Sequence, residues 1–163
     1  MDYKGFRIME MIKYKESIEY KEGFRFQLTK DTFTQTEIKP WDDIVTEYIE
    51  LYKNGFLILK CGYASDGPSG PCRWIADRMP TWIRKRYLKT IITGAFFHDG
   101  LYELIRKELL PSHWRAQADL EFKRINLNCG MSKPRACWTY KAVSKAGASS
   151  ADPKNKRPTL TAP

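Results

Sequence analysis

The segment Gly62-Tyr63-Ala64-Ser65-Asp66-Gly67-Pro68-Ser69-Gly70-Pro71 limits the fold more than any other part of the chain. Glycine, proline, serine and aspartate crowd these positions, and each favours turns for its own steric or hydrogen-bonding reason, so a regular helix or strand is not expected here. The segment marks a switch from strand-like to helix-like sequence. Before it, runs rich in β-branched and aromatic residues at 9–14, 24–29, 44–51 and 56–60 read as strands. Asn54-Gly55 lies between the last two runs and supplies the positive φ angles that a tight hairpin requires.

Beyond the switch, residues 82–89, 93–107, 112–128 and 133–146 read as helices, with Ser112 after Pro111 as an N-cap for the third. The expected fold class is α+β: a small N-terminal antiparallel sheet followed by a three- to four-helix C-terminal half. The chain has 163 residues, 42% of them hydrophobic, which suffices for one core. Residues 1–148 are read as a single domain. From Ser149 onward the string is polar, proline-containing and non-periodic, so residues 149–163 are expected to form a disordered tail. No repeat is present, which excludes solenoids and propellers.

No run of about 18 apolar residues exists to cross a bilayer. The charged N-terminus does not read as an export signal, so the expected location is the cytoplasm of the cell that makes the protein, or a particle that carries it out. The spacings of Cys61, Cys72, Cys129 and Cys137 fit neither zinc knuckles nor a dense disulfide framework, and free buried thiols are expected. A Cys61–Cys72 bridge, which would close the central loop, is the alternative.

The net charge of +9 is uneven. Residues 1–60 carry 10 basic and 11 acidic groups, whereas residues 111–163 carry 10 and 3. An excess of this kind suits an anionic partner such as a phospholipid surface or nucleic acid, although solvated helix faces also produce it and no nucleic-acid motif accompanies it. Lys133, Arg135, Lys141, Lys145, Lys154, Lys156 and Arg157 make up most of the C-terminal excess. The stretch 73–89 mixes Trp, Ile and Met with six basic residues, as membrane-surface helices do. His113, at a helix start, is expected to be exposed.

The chemistry concentrates in Phe97-His98-Asp99-Gly100-Leu101-Tyr102. On a helix His98 and Tyr102 share a face, while Asp99 lies about 100° round and reaches toward a neighbouring loop. Gly94-Ala95-Phe96-Phe97 leads His98 into buried surroundings, where an imidazole needs a partner. Asp119, among Ala116, Ala118, Leu120 and Phe122 on the next helix, is the candidate, because a short turn at Pro111 makes the two helices antiparallel. A carboxylate on one ring nitrogen fixes the tautomer and frees the other nitrogen to act as a general base. The same cluster also suits a purely structural role, locking two helices together. Asp99 with Asp66 and loop carbonyls would suit a hard cation, calcium rather than zinc.

His98-Asp99-Gly100-Leu101-Tyr102 followed by Ala118-Asp119-Leu120-Glu121-Phe122 resembles the catalytic helix pair of secreted and parvoviral phospholipase A2 enzymes. That resemblance implies ester hydrolysis with His98 as general base, Asp119 and Tyr102 as its supporting network, and Asp99 as a ligand of Ca2+. A longer resemblance takes in residues 62–71, Gly94 to Leu104, Leu109-Leu110-Pro111, Arg115-Ala116-Gln117-Ala118-Asp119 and Ala142-Val143-Ser144-Lys145-Ala146-Gly147-Ala148. It is to the phage and bacterial family catalogued as domain of unknown function 1353, and it implies a phage or prophage origin without an activity. Two functions are therefore expected in competition: a phage-encoded, calcium-dependent, phospholipase-like hydrolase of the host cytoplasm or virion, and a non-enzymatic virion-associated or host-interaction protein.

Overall fold

A computed structural model of the chain describes residues 20–21, 26–67 and 78–155. Strands β1 (Tyr20–Lys21), β2 (Phe26–Leu28), β3 (Thr32–Gln35), β4 (Ile44–Val45), β5 (Ile49–Leu51), β6 (Phe56–Leu59) and β7 (Ala64–Ser65) precede helices α1 (Thr81–Lys89), α2 (Ile92–Arg106), α3 (Arg115–Asn128) and α4 (Lys133–Ala151). The fold is α+β, an N-terminal antiparallel region followed by four helices. The expected strand at 9–14, Cys72 and residues 156–163 lie outside the described residues.

The strands form two antiparallel sheets rather than the one expected, in the orders β1-β2-β7 and β3-β6-β5-β4. Leu57 to Leu59 of the central strand β6 are fully buried, and Phe56 nearly so, which explains why Phe56-Leu57-Ile58-Leu59 is apolar at every position. The run 44–51 is two strands, because Thr46 turns the chain: its N–H donates to the Ile49 carbonyl and its hydroxyl accepts from the Ile49 N–H. Strand β3 carries little strand signal in the sequence, because Thr and Gln surround a single Phe there.

The Asn54-Gly55 hairpin forms, but only Gly55 adopts a positive φ, of 86°. The Gly55 N–H donates to the Tyr52 carbonyl, the Asn54 side chain accepts from the Phe56 N–H, and Asn54 keeps a negative φ. The result is a turn followed by one left-handed residue instead of a two-residue turn with both φ angles positive. A Cβ on Gly55 would also collide with the Thr36 carbonyl.

The turn-rich segment is not wholly irregular either. Ala64 and Ser65 pair with Gln27 and Phe26, and the Leu28 N–H reaches the Tyr63 carbonyl. Backbone pairing to β2 overrides the local turn preference, since a partner strand satisfies the same N–H and C=O groups.

Helix α2 is buried on nearly every side, with Phe96, Phe97, Leu101 and Leu104 joining Leu28, Ile49, Leu51, Leu57 and Leu59 in one core across both halves. Each such side chain contributes about 1.5–3 kcal/mol by leaving water. A second cluster of Tyr87, Ile91, Ala95, Phe122, Met131 and Ala136 lies under α1.

Two boundaries differ from expectation. Ser112 begins a short 3-10 turn with no side-chain cap, and α3 starts at Arg115. Helix α4 runs past the expected tail boundary to Ala151, and a further turn follows at Pro153–Asn155. Ala151 is buried in the main core, and that apolar contact orders a stretch whose composition alone would not. Cys61 and Cys137 are free but exposed, where buried thiols were expected, because Cys61 sits in the turn after β6 and Cys137 on the open face of α4. Among the described residues no helix is long and apolar enough to cross a membrane.

Candidate functional site

Helical spacing stacks His98 over Tyr102 on α2, their ring centroids 4.0 Å apart. The Phe122 ring of α3 is also tilted against the imidazole, 5.3 Å away. Asp119 of α3, only 2% exposed, presents one oxygen to both His98 and Tyr102. His98 Nε2 lies 2.8 Å from Asp119 Oδ1, and the Tyr102 hydroxyl donates to the same oxygen at 2.7 Å. An ionised carboxylate only accepts, so Nε2 carries the proton and Nδ1 is the free nitrogen of the neutral ring.

Nδ1 points toward Asp99, whose Oδ1 is 4.0 Å away, beyond a direct hydrogen bond and wide enough for a water bonded to both. The Asp99 side chain is 34% exposed, so this is the side from which solvent reaches the imidazole. Asp99 is held in turn by Ser65, whose hydroxyl donates to Asp99 Oδ2 and accepts the Gly67 N–H at 2.9 Å. Tyr63, buried against Phe96, lies close enough to Asp99 and Glu103 for both acids to act on its phenol.

The electrostatics follow from these contacts. Burial works against a charged imidazole, but the hydrogen bond to Asp119 and the negative charge of nearby Asp99 outweigh it and raise the His98 pKa above its ordinary value. Burial alone would raise the Asp119 carboxyl; donation from His98 and Tyr102 reverses this and lowers it. Burial and then Asp119 push the Tyr102 phenol far up, so it remains a donor throughout the physiological range.

Of the residues singled out in the sequence, His98, Tyr102 and Asp119 are in direct contact, and Asp99 stands on the free side of the imidazole. Asp66 follows Ser65 and is exposed, so on this strand end the serine points inward to Asp99 and the aspartate outward. His113 is exposed, as expected. Ser65, Phe122 and Gly147 were not recognised as parts of the site. A Cβ on Gly147 would strike the Tyr102 hydroxyl, so glycine there lets α4 close over the network. Ser65 had a local signal: a serine two residues before glycine is the pattern of a side-chain turn, which Gly67 completes.

Calcium needs six to eight oxygen ligands. Among the described residues there is no group of three or more His, Cys, Asp or Glu side chains placed to hold a metal. Calcium also takes backbone carbonyls, and residues 68–71 of the loop expected to offer them lie outside the described residues. Compared with protein-family models, curated proteins and solved structures, the chain matches none.

Proposed function

We propose that the protein hydrolyses an ester, with phospholipid as the substrate class, through His98 as general base. The observation that supports this reading is the double use of Asp119 Oδ1. By accepting from both His98 Nε2 and Tyr102, it orients the imidazole and leaves Nδ1 available on the solvent side.

A water between Nδ1 and Asp99 attacks the ester carbonyl carbon as its proton passes to Nδ1. The imidazolium, stabilised by Asp119, then returns that proton to the departing alkoxide, and a carboxylic acid and an alcohol leave. No step is assigned to a metal. Phage encoding, with the host cytoplasm or the virion as its place, rests on the longer resemblance and belongs to the same proposal. The test is fatty-acid release from mixed phospholipid vesicles by wild type and His98→Gln: release by wild type alone is expected, and equal release from both removes His98 as the base.

A second reading has its own observation. Asp119 joins α2 to α3, and Gly147 seats α4 against the Tyr102 hydroxyl, so one polar cluster knits three helices. In that reading the cluster specifies packing, and the protein is a non-enzymatic virion-associated or host-interaction protein. Absence of hydrolysis together with marked destabilisation by Asp119→Ala supports it.

A further inference from the structure

Helix α1 carries a stripe that neither the core nor the proposed reaction uses. Trp82, Lys85, Arg86 and Lys89 stand at i, i+3, i+4 and i+7 and so share one face. All four are exposed, Trp82 to 73%. Among the described residues Lys85, Arg86 and Lys89 have no acidic partner. The opposite side of the helix is firmly seated. Tyr87 is buried in the second cluster, and Arg135 of α4 lies 3.7 Å from the centre of the Tyr87 ring while donating to the Tyr87 carbonyl and the Thr90 hydroxyl.

An exposed indole among cations on a rigid support has a definite chemical complement. Tryptophan prefers the boundary between headgroups and acyl chains, where its ring is apolar on one side and its N–H stays wet. Lysine and arginine beside it meet headgroup phosphates, and the surroundings favour anions generally, since residues 61–163 hold 18 basic and 8 acidic groups. Single-stranded nucleic acid would call for a series of aromatic platforms along a groove, and among the described residues this face has one aromatic, Trp82.

We propose that the Trp82-Lys85-Arg86-Lys89 face of α1 docks the protein on anionic phospholipid bilayers. The docking stands on α1 alone and does not rest on hydrolysis at His98.

The experiment is cosedimentation of the full chain with vesicles of ether-linked phosphatidylcholine and phosphatidylglycerol in a seven-to-three ratio, which offer no carboxylic ester to cleave. Wild type and His98→Gln should bind equally, and neither should bind vesicles of phosphatidylcholine alone. Each of Lys85→Ser, Arg86→Ser and Lys89→Ser should weaken binding about five-fold, and the triple variant roughly a hundred-fold. Trp82→Ala should weaken it several-fold with an unchanged melting temperature. A double Lys141→Ser/Lys145→Ser variant on α4 controls for charge. If it weakens binding as much as Lys85→Ser/Arg86→Ser does, attraction is spread over the protein and the α1 face is rejected. Failure of wild type to sediment with the anionic vesicles, or retention of single-stranded DNA in their place, overturns the proposal.

Discussion

Asp119 and Glu121 are two carboxylates two positions apart on α3, each only 2% exposed, and they face opposite ways. Glu121 looks toward the edge of the larger sheet. Its Oε1 accepts the Glu37 N–H at 2.9 Å and the Gln117 amide at 3.3 Å, while Oε2 accepts Arg124 Nε at 2.7 Å. Arg124 continues to the Thr34 hydroxyl and the Gln35 carbonyl, so the pair clamps α3 over edge strand β3. Asp119 looks toward α2 and meets an imidazole and a phenol. Amide and guanidinium donors keep their protons at any pH a protein tolerates, whereas an imidazole exchanges its own. Equal burial and equal charge therefore do not mark a reactive site; the partners' capacity to move a proton does.

The sharpest way to break this contrast is to disable each carboxylate's partner set and read activity against stability. His98→Gln should lower ester hydrolysis by about 10²–10⁴-fold, the usual contribution of a positioned base. Comparable turnover by the two proteins would reduce Asp119 to a second clamp. Glu121→Ala should leave hydrolysis per folded molecule unchanged but cost about 2–3 kcal/mol in urea unfolding. That is less than a fully buried pair costs, because Arg124 is 38% exposed. An unchanged unfolding midpoint would show that the clamp contributes nothing. Tyr102→Phe removes one of the two donors to Asp119 and should cost about 1 kcal/mol in stability, with a several-fold drop in rate. An unchanged rate would leave the orienting role to His98 alone.

The pH dependence sharpens the contrast from the titrating side. Folded His98 holds its proton more tightly than the unfolded chain, whose value is 6.5, so its stabilising contribution is complete below pH 6.5 and is lost as pH rises through the higher folded value. The melting-temperature gap between wild type and His98→Gln should shrink as pH rises across that window, while hydrolysis climbs as the neutral base appears. A gap that stays constant from about pH 5 to about pH 9 would mean that His98 is not coupled to its two carboxylates. The smallest expected effect concerns calcium: millimolar calcium should leave the melting temperature unchanged. A rise that Asp99→Asn abolishes would restore a metal to the site, since a ligand bound only by the folded state raises stability by mass action.

Much of the candidate site was legible because it is made by short-range geometry. His98 and Tyr102 are one helical turn apart, and the short connection at Pro111 obliges α3 to run back along α2, which brings Asp119 opposite them. The inward role of Ser65 was not legible. In an extended strand neighbours point to opposite faces, so whether Ser65 or Asp66 meets Asp99 depends on residues 64–65 pairing with β2, and a segment dense in turn formers does not announce that pairing. The end of α4 was missed for a similar reason. A polar string was read as lacking apolar area to bury, yet Ala151 packs into a core assembled from residues far away in the chain.

The sequence by itself therefore determined the α+β division, the presence and order of the four helices, the glycine turn at residue 55 and the residues of the imidazole network, because each follows from periodicity or from the conformational limits of single residues. Tertiary structure alone decided how the strands divide into two sheets, which of the two buried carboxylates of α3 became the clamp, and that Ser65 rather than Asp66 meets Asp99. Those outcomes depend on contacts between groups distant in the chain, where strand pairing and burial override the local preference of the backbone.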